Sequence, residues 1–355
     1  MDKKKQLDKV RGCLVGGAVG DALGYPVEFI SSYMGIKIRY GNQDITRYEL
    51  AENGKALVSD DTQMTLFTAC GLLNAKNKGR EYKHSICYAY TEWLNTQMGR
   101  KRLKSPECWI YDLEELHTLR APGNTCINAL SCIVAGKEPM NNSKGCGGIM
   151  RTAPVAIYGV IDNRLTIEDV VTLAADAAEI THQHPLGWLP SALEAHVIYK
   201  LLQNNNPTVD DFKAYLKEGF EALGSLYPNE LESIRELNAI TDKALSLVDS
   251  PASDVENIEA IGEGWVAEEA WAMAVYCTAK YFDNFEQAMI ASINHCGDSD
   301  STGAITGNIL GAVVGYDAIP QFYKDDLELH DVILHVADDL WRGETTKFEL
   351  NKNKS

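Results

Sequence analysis

Residues 295–315 read HCGDSDSTGAITGNILGAVVG, and two patterns overlap in them. The first is a row of glycines, Gly303, Gly307, Gly311 and Gly315, four residues apart. Helical residues at that spacing share a face, so the stretch reads as a helix with a bare stripe. Glycine inside a helix costs up to about 1 kcal/mol relative to alanine. A stripe of four implies that something approaches the backbone closely. The second pattern is the acid-rich turn ahead of the stripe, where Asp298 and Asp300 alternate with Ser299 and Ser301 and Thr302 follows. Such a density of carboxylate and hydroxyl oxygens suits a hard divalent cation. Helix capping accounts for part of the turn, and Thr302 is expected in the cap.

Both patterns occur again near the start. KVRGCLVGGAVGDALG (9–24) places Gly12, Gly16, Gly20 and Gly24 at the same spacing. Tight helix–helix packing and a ligand or metal site against this face are both consistent with it. Asp21 and Glu28 fall near its end, and Pro26 stops the helix or opens a turn. Ser59-Asp60-Asp61-Thr62 then leads into an amphipathic run with Leu66, Ala69, Cys70 and Leu73 on one face. One N-cap needs one such residue. The second of two adjacent carboxylates is left to repel the first unless a cation lies between them. The two acidic patches are therefore expected to meet and hold divalent metal.

Elsewhere the pattern is helical. NNSKGCGGIMRTAPVA (141–156) is a glycine-rich loop of the kind whose N–H groups can converge on an oxyanion, without the GK[ST] of a Walker A loop. RAPGNTC (120–126) signals a turn followed by a helix, capped by Asn124 or Thr125. Helical patterning over 165–180 ends in THQHP, where one histidine could line a pocket. Residues 36–58 read as irregular, 208–260 as two acidic amphipathic helices, and Leu329, Val332, Ile333, Val336 and Leu340 as one face of a last helix. No stretch shows convincing period-2 alternation between hairpin turns. The expected fold is all-α: a dozen or more helices in a single compact domain over 1–355, with a core of about 11–345 and a frayed tail at 346–355.

Composition narrows the function. With 45% hydrophobic and 23% charged residues, the 355-residue chain can bury a sizeable core. The net charge of −17 argues against nucleic acid and anionic membranes as partners. Nine cysteines with no CxxC pair argue against a disulfide framework or zinc ribbon and for a reducing compartment. With no secretory-signal pattern and no apolar run of spanning length, a cytoplasmic location is expected.

Taken in order, GDALGYPVEF (20–29), SDDTQM (59–64), SKGCGGIMR (143–151), THQHP (181–185), GEGWVAEEA (262–270) and GDSDSTGAITGNILGA (297–312) resemble the ADP-ribosylglycohydrolase family. The resemblance implies an all-helical fold with a cleft holding two Mg²⁺ ions, or Mn²⁺ in their place. It makes Ser59, Asp60, Asp61, Asp298, Asp300 and Ser301 the metal ligands. It implies catalytic roles for Asp60, Asp300 and Glu28, the last matching a mobile glutamate of some members. Asp21, Ser143, Gly145, Cys146, Gly147 and His182 are the expected substrate-binding residues, with the glycine-rich loop at the diphosphate. Ser59 and Ser301 stand where several members have threonine, and Cys146 where some have asparagine. The implied reaction frees ADP-ribose from ADP-ribosylated protein, with a lean to the arginine linkage. Cleavage of another ADP-ribosyl bond (serine, a small metabolite or nucleic acid) is the alternative, as is a non-catalytic ADP-ribose-binding protein. Intact carboxylates in both patches favour an enzyme over the latter.

Overall fold

The two glycine stripes face each other. In the computed structural model, which describes residues 2–349, the opening helix Lys3–Gly24 and the helix Ser299–Val314 pack antiparallel. Gly12 meets Gly311 and Gly315, Gly16 meets Gly307, Gly20 meets Gly303, and Gly24 meets Ser299 and Asp300. A methyl on Gly16 would lie 2.3 Å from the Gly307 carbonyl oxygen, and one on Gly307 would lie 2.0 Å from that of Gly16. The close approach implied by the sequence is thus backbone against backbone, and the missing side chains are what permit it. This pair forms the axis of the molecule. Its run from Gly12 to Gly24 delivers the end of the opening helix onto the acidic turn at Asp298–Asp300.

The remaining helices wrap this axis. Asp60–Lys78 packs on Tyr82–Gln97, and Ile167–Glu179 packs on Pro185–Gln203. Starts and stops follow local chemistry. Ser59 caps Asp60–Lys78, and Gly79 ends it at φ +62°. Reciprocal capping boxes at Thr166/Asp169, Thr208/Asp211 and Ser253/Glu256 open three others. Trp93, Trp271, Tyr90 and Phe67 are among the largest side chains of one extensive core. Among the described residues there are sixteen α-helices and no strand, only isolated bridges at Ala56–Leu327 and Gly145–Val266. The all-α, single-domain expectation is borne out. No helix of the described residues is long and apolar enough to cross a membrane.

Several local expectations are corrected. The stretch 36–58 is not wholly irregular, because Ser32 caps a short helix, Tyr33–Arg39. The segment 208–260 holds three helices, the third being Asp254–Ile261. The helix Asn124–Val134 begins at Gly123 with no side-chain cap. The cap of Ser299–Val314 is Asp298, whose carboxylate accepts from the Ser301 N–H, while Thr302 turns back to donate to the Asp298 carbonyl at 2.7 Å. Within the segment read as frayed, Thr346 donates to Asp339 and Phe348 lies against Trp109 at 5.2 Å. Residues 350–355 of that segment lie outside the described ones.

Candidate active site

The two acidic patches meet. Asp60 and Asp61 form the first turn of the helix capped by Ser59, and Asp298, Asp300 and Ser301 form the start of the glycine-striped helix. The Ser301 hydroxyl donates to Asp61 Oδ2 at 2.8 Å and ties one patch to the other. Glu28 arrives from the short turn Tyr25–Val27 that follows Gly24. Oxygens of Glu28, Asp298 and Asp300 all lie within 4.8 Å of one another. Ser59 is fully buried beneath the cleft, its hydroxyl accepting the Asp61 N–H at 3.2 Å. Capping and the acidic cluster are therefore the same structure: the cap orients the carboxylates beside it.

Asp21 does not line the cleft. It is fully buried, and its carboxylate accepts the Ser59 N–H at 2.9 Å, the Thr62 N–H at 3.1 Å and the Thr62 hydroxyl. The expectation of substrate contact at Asp21 gives way to a strut that fixes the 59–62 turn. Ser143 likewise sits behind the lining, sharing a hydrogen bond with Thr125 Oγ1 at 3.1 Å and accepting the Gly145 N–H.

The cleft, of about 200 Å³, is lined on one side by Glu28, Asp60, Asp61, Asp298, Asp300 and Ser301. Among the described residues, no lysine or arginine lines it. Burial pushes the carboxyls of Asp60, Asp61 and Asp300 well above the usual range, and neighbouring carboxylates push them further. Glu28 is raised to about 10, by burial first and then by Asp300, Asp298 and Asp60. Its Oε2 is buried, with no hydrogen-bond partner among the described residues. An all-oxygen set of crowded carboxylates with an unpartnered buried oxygen and no cationic side chain fits a hard divalent cation.

The lining also carries Gly145, Cys146, Gly147, Cys126 and His182. Here the loop is pinned from outside: the Cys146 N–H donates to the Trp265 carbonyl at 3.2 Å and the Ala267 N–H to the Lys144 carbonyl at 2.8 Å. Cys146 Sγ also donates to Asp298 Oδ2 at 2.6 Å, joining the loop to the acidic turn. His182 is held neutral, its pKa lowered to about 3 by burial and then by Arg151. His184 instead caps Pro185–Gln203 by accepting the Leu186 N–H.

Trp265 was not singled out in the sequence. It lines the cleft, is 39% exposed, and stacks on Phe29 at 6.2 Å with an interplanar angle of 18°. Its signal lay in the preceding Gly262 and Gly264. Gly264 adopts φ +84° against Thr302 and Asp298, and the Glu263 carbonyl accepts the Asp298 N–H at 2.9 Å, so this loop docks on the acidic turn. Ala121, Gly123, Asn124 and Thr125 complete the rim; RAPGNTC marked a turn without marking a site.

Fold and site together define an all-helical protein built round a buried acidic cleft fit for divalent metal. The sequence matches the ADP-ribosylglycohydrolase family over residues 2–349, and the chain belongs to that family. It is therefore a protein of a glycohydrolase family, as the ordered motifs implied. It is 25% identical to ADP-ribosylhydrolase ARH3 of Homo sapiens, over 95% of this chain and 94% of that one. It is 24% identical to ADP-ribosylarginine hydrolase Tri1 of Serratia proteamaculans (96% and 80% covered). To ADP-ribosyl-[dinitrogen reductase] glycohydrolase of Rhodospirillum rubrum it is 24% identical, with 91% of each covered. A solved structure titled ADP-ribosylglycohydrolase-related protein complex superposes with a TM-score of 0.66 at 22% identity, over 96% of this chain and all of that one.

Proposed function

We infer that this protein is a Mg²⁺-dependent hydrolase that removes ADP-ribose from mono-ADP-ribosylated protein, with arginine as the modified side chain. The observation that carries this reading is the convergence of Glu28, Asp60, Asp61, Asp298 and Asp300 in one cleft that a glycine-rich loop also lines. Asp60, Asp61, Asp298, Asp300 and the hydroxyls of Ser59 and Ser301 would hold two Mg²⁺, or Mn²⁺. Bound there, the metal supplies positive charge that orients ribose hydroxyls and lowers the pKa of a neighbouring water.

The chain's own groups do the rest. Asp21 holds the 59–62 turn, and Ser301 clamps Asp61. Of the candidate bases, Asp300 already accepts the Ser301 N–H at 3.0 Å and Asp60 the Gly123 N–H at 3.4 Å, whereas Glu28 Oε2 has no partner. With a bound cation's charge offsetting the burial and carboxylate repulsion that raise its pKa, Glu28 is ionised and takes the proton of the attacking water, whose oxygen bonds to C1″ of the ribose. The bond from C1″ to the guanidine nitrogen breaks with its electron pair on nitrogen, and Glu28 passes the proton it took from water to that nitrogen. The backbone of Gly145 and Gly147 receives the diphosphate. At the mouth, the Trp265–Phe29 pair offers an aromatic face to a planar guanidinium, which supports the arginine linkage. The similarity to human ADP-ribosylhydrolase ARH3, whose name specifies no arginine, supports a second reading, cleavage of another ADP-ribosyl linkage at the same site.

The deciding assay offers ADP-ribosyl-arginine, ADP-ribosyl-serine and small-molecule ADP-ribosides in parallel, with Mg²⁺, Mn²⁺ or EDTA, and measures free ADP-ribose. Release from the arginine substrate, lost in EDTA, is expected. Release from the serine substrate alone would overturn the linkage, and binding of ADP-ribose without release from any substrate would overturn the enzyme.

A further inference from the structure

Arg151 is a fully buried guanidinium behind the cleft wall, with no carboxylate partner among the described residues. Its Nη1 contacts Met64 Sδ and Cys126 Sγ, both at 3.3 Å, and its Cζ lies 4.3 Å from the centre of the Tyr90 ring. Its Nη2 donates to the Ala177 carbonyl at 3.2 Å and to Thr181 Oγ1 at 2.6 Å. A guanidinium can only donate, so Thr181 Oγ1 is an acceptor there and its own hydrogen must point elsewhere. Three acceptors are in reach: the Ala178 carbonyl at 3.4 Å, His182 Nδ1 at 2.9 Å and the Cys126 thiol, a weak acceptor that Arg151 Nη1 already contacts. The Ala178 carbonyl already accepts the N–H groups of Thr181 at 3.1 Å and His182 at 3.0 Å, which use both its lone pairs. The hydroxyl hydrogen therefore goes to His182 Nδ1. A neutral imidazole that accepts at Nδ1 carries its proton on Nε2. That edge of the ring faces the glycine-rich wall: a Cβ on Gly145 would lie 3.3 Å from Nε2, and one on Gly147 3.4 Å. Nε2 has no partner of its own among the described residues, and His182 lines the cleft.

We propose that Arg151 and Thr181 are positioning residues that lock His182 in its Nε2–H tautomer, so that an uncharged ring presents one hydrogen-bond donor to an acceptor oxygen of the ligand. Resting on the reading of the site as an ADP-ribose cleft, that acceptor is an oxygen of the diphosphate or its adjoining ribose. The other tautomer would turn a lone pair toward the same oxygen and repel it. The relay makes recognition at this wall depend on residues that touch no ligand.

The tautomer is read directly from nitrogen-15 spectra of histidine-labelled protein, with the His182 signals assigned by their absence in His182→Gln. Expected in the wild type are a protonated Nε2 and an unprotonated Nδ1. Thr181→Val keeps the shape and removes the hydroxyl; it is expected to lose the lock and to weaken ADP-ribose binding by calorimetry by about tenfold or more. Thr181→Ser is expected to restore both. A wild-type ring protonated at Nδ1 overturns the relay, whether or not the valine variant folds. So does a valine variant with an unchanged tautomer and unchanged affinity. A wild type that shows the expected tautomer but binds no ADP-ribose would sink the functional reading while leaving the Arg151–Thr181–His182 relay standing.

Discussion

A methyl group at Gly16 tests whether the glycine stripes set both the fold and the site. In Gly16→Ala the new Cβ would lie 2.3 Å from the Gly307 carbonyl oxygen, where ordinary contact begins at 3.4 Å, so the helices must part by about 1.1 Å. The obstructing atom belongs to a backbone that is itself locked against Gly12 and Gly20 on either side, so it cannot yield alone. Overpacking of this kind costs about 1–3 kcal/mol, and a backbone neighbour places Gly16 at the upper end. Better helix propensity returns about 1 kcal/mol, leaving a net loss of about 2 kcal/mol. An unfolding entropy of about 2.1 cal/mol/K per residue over 355 residues makes that a fall of about 3 °C in Tm. Gly224→Ala is the control. It lies inside the helix Val209–Leu226 with nothing within 4 Å of its added methyl, and it should gain about 1 °C. Because the stripe ends with Gly24 against Asp300, the Gly16 variant should also show a smaller rise in Tm on adding Mg²⁺. Thermal unfolding of both variants, with and without Mg²⁺, decides the matter. A Gly16→Ala protein as stable as Gly224→Ala would refute the reasoning.

Asp300→Ala should abolish release of ADP-ribose yet unfold no lower than the wild type without cation, since one of several mutually repelling buried carboxyls is gone. At a Mg²⁺ concentration 100 times its dissociation constant, the wild type should gain about 2.7 kcal/mol, or about 4 °C, and the variant should gain little. Trp265→Ala should raise KM for an ADP-ribosyl-arginine substrate by about 2- to 30-fold while leaving affinity for free ADP-ribose nearly unchanged, because only the former carries a guanidinium. Equal losses for both ligands would remove the argument for arginine. Glu194, fully buried, has its pKa raised to about 8 by burial, and one oxygen lacks a partner among the described residues. The folded state thus keeps a proton that the unfolded chain releases near 4.5, so stability present at acid pH is lost as pH rises toward 8, by up to about 1.4 kcal/mol per pH unit. Tm profiles of wild type and Glu194→Gln between pH 5 and 8 should diverge accordingly, with the variant flatter; parallel profiles would contradict this.

Absence of side chains is a pattern a sequence displays well, which is why both glycine stripes were legible. What they face was not, because a bare stripe reports close approach without naming what approaches. Only the docking of Lys3–Gly24 on Ser299–Val314 shows that each stripe is the other's answer. Trp265 escaped notice for a related reason: its stacking on Phe29 joins residues far apart in the chain, and an exposed aromatic after two glycines has no periodicity to betray it. Ser, Thr and Asp carry the same cap signal, so an acid-rich turn does not say which of them caps. Thr302 was expected to cap, yet Asp298 occupies that place and leaves Thr302 to bond back within its own helix.

Asp21 shows most clearly where sequence reasoning stops. It is an aspartate near a glycine stripe, as close in sequence to Glu28 as any cleft residue, and nothing in its neighbours distinguishes a ligand from a strut. The difference lies in which donors reach it. The N–H groups of Ser59 and Thr62 and the Thr62 hydroxyl all point at its carboxylate, whereas no donor of the described residues reaches Glu28 Oε2. Backbone donors at the start of a helix are free by construction, and a carboxylate docked there is consumed by them. A carboxylate held just past them keeps an oxygen for chemistry. Which carboxylate meets which fate is decided by its place along the opening segment: Asp21 falls opposite the free N–H groups at the start of Asp60–Lys78, and Glu28, seven residues further on, lies past them.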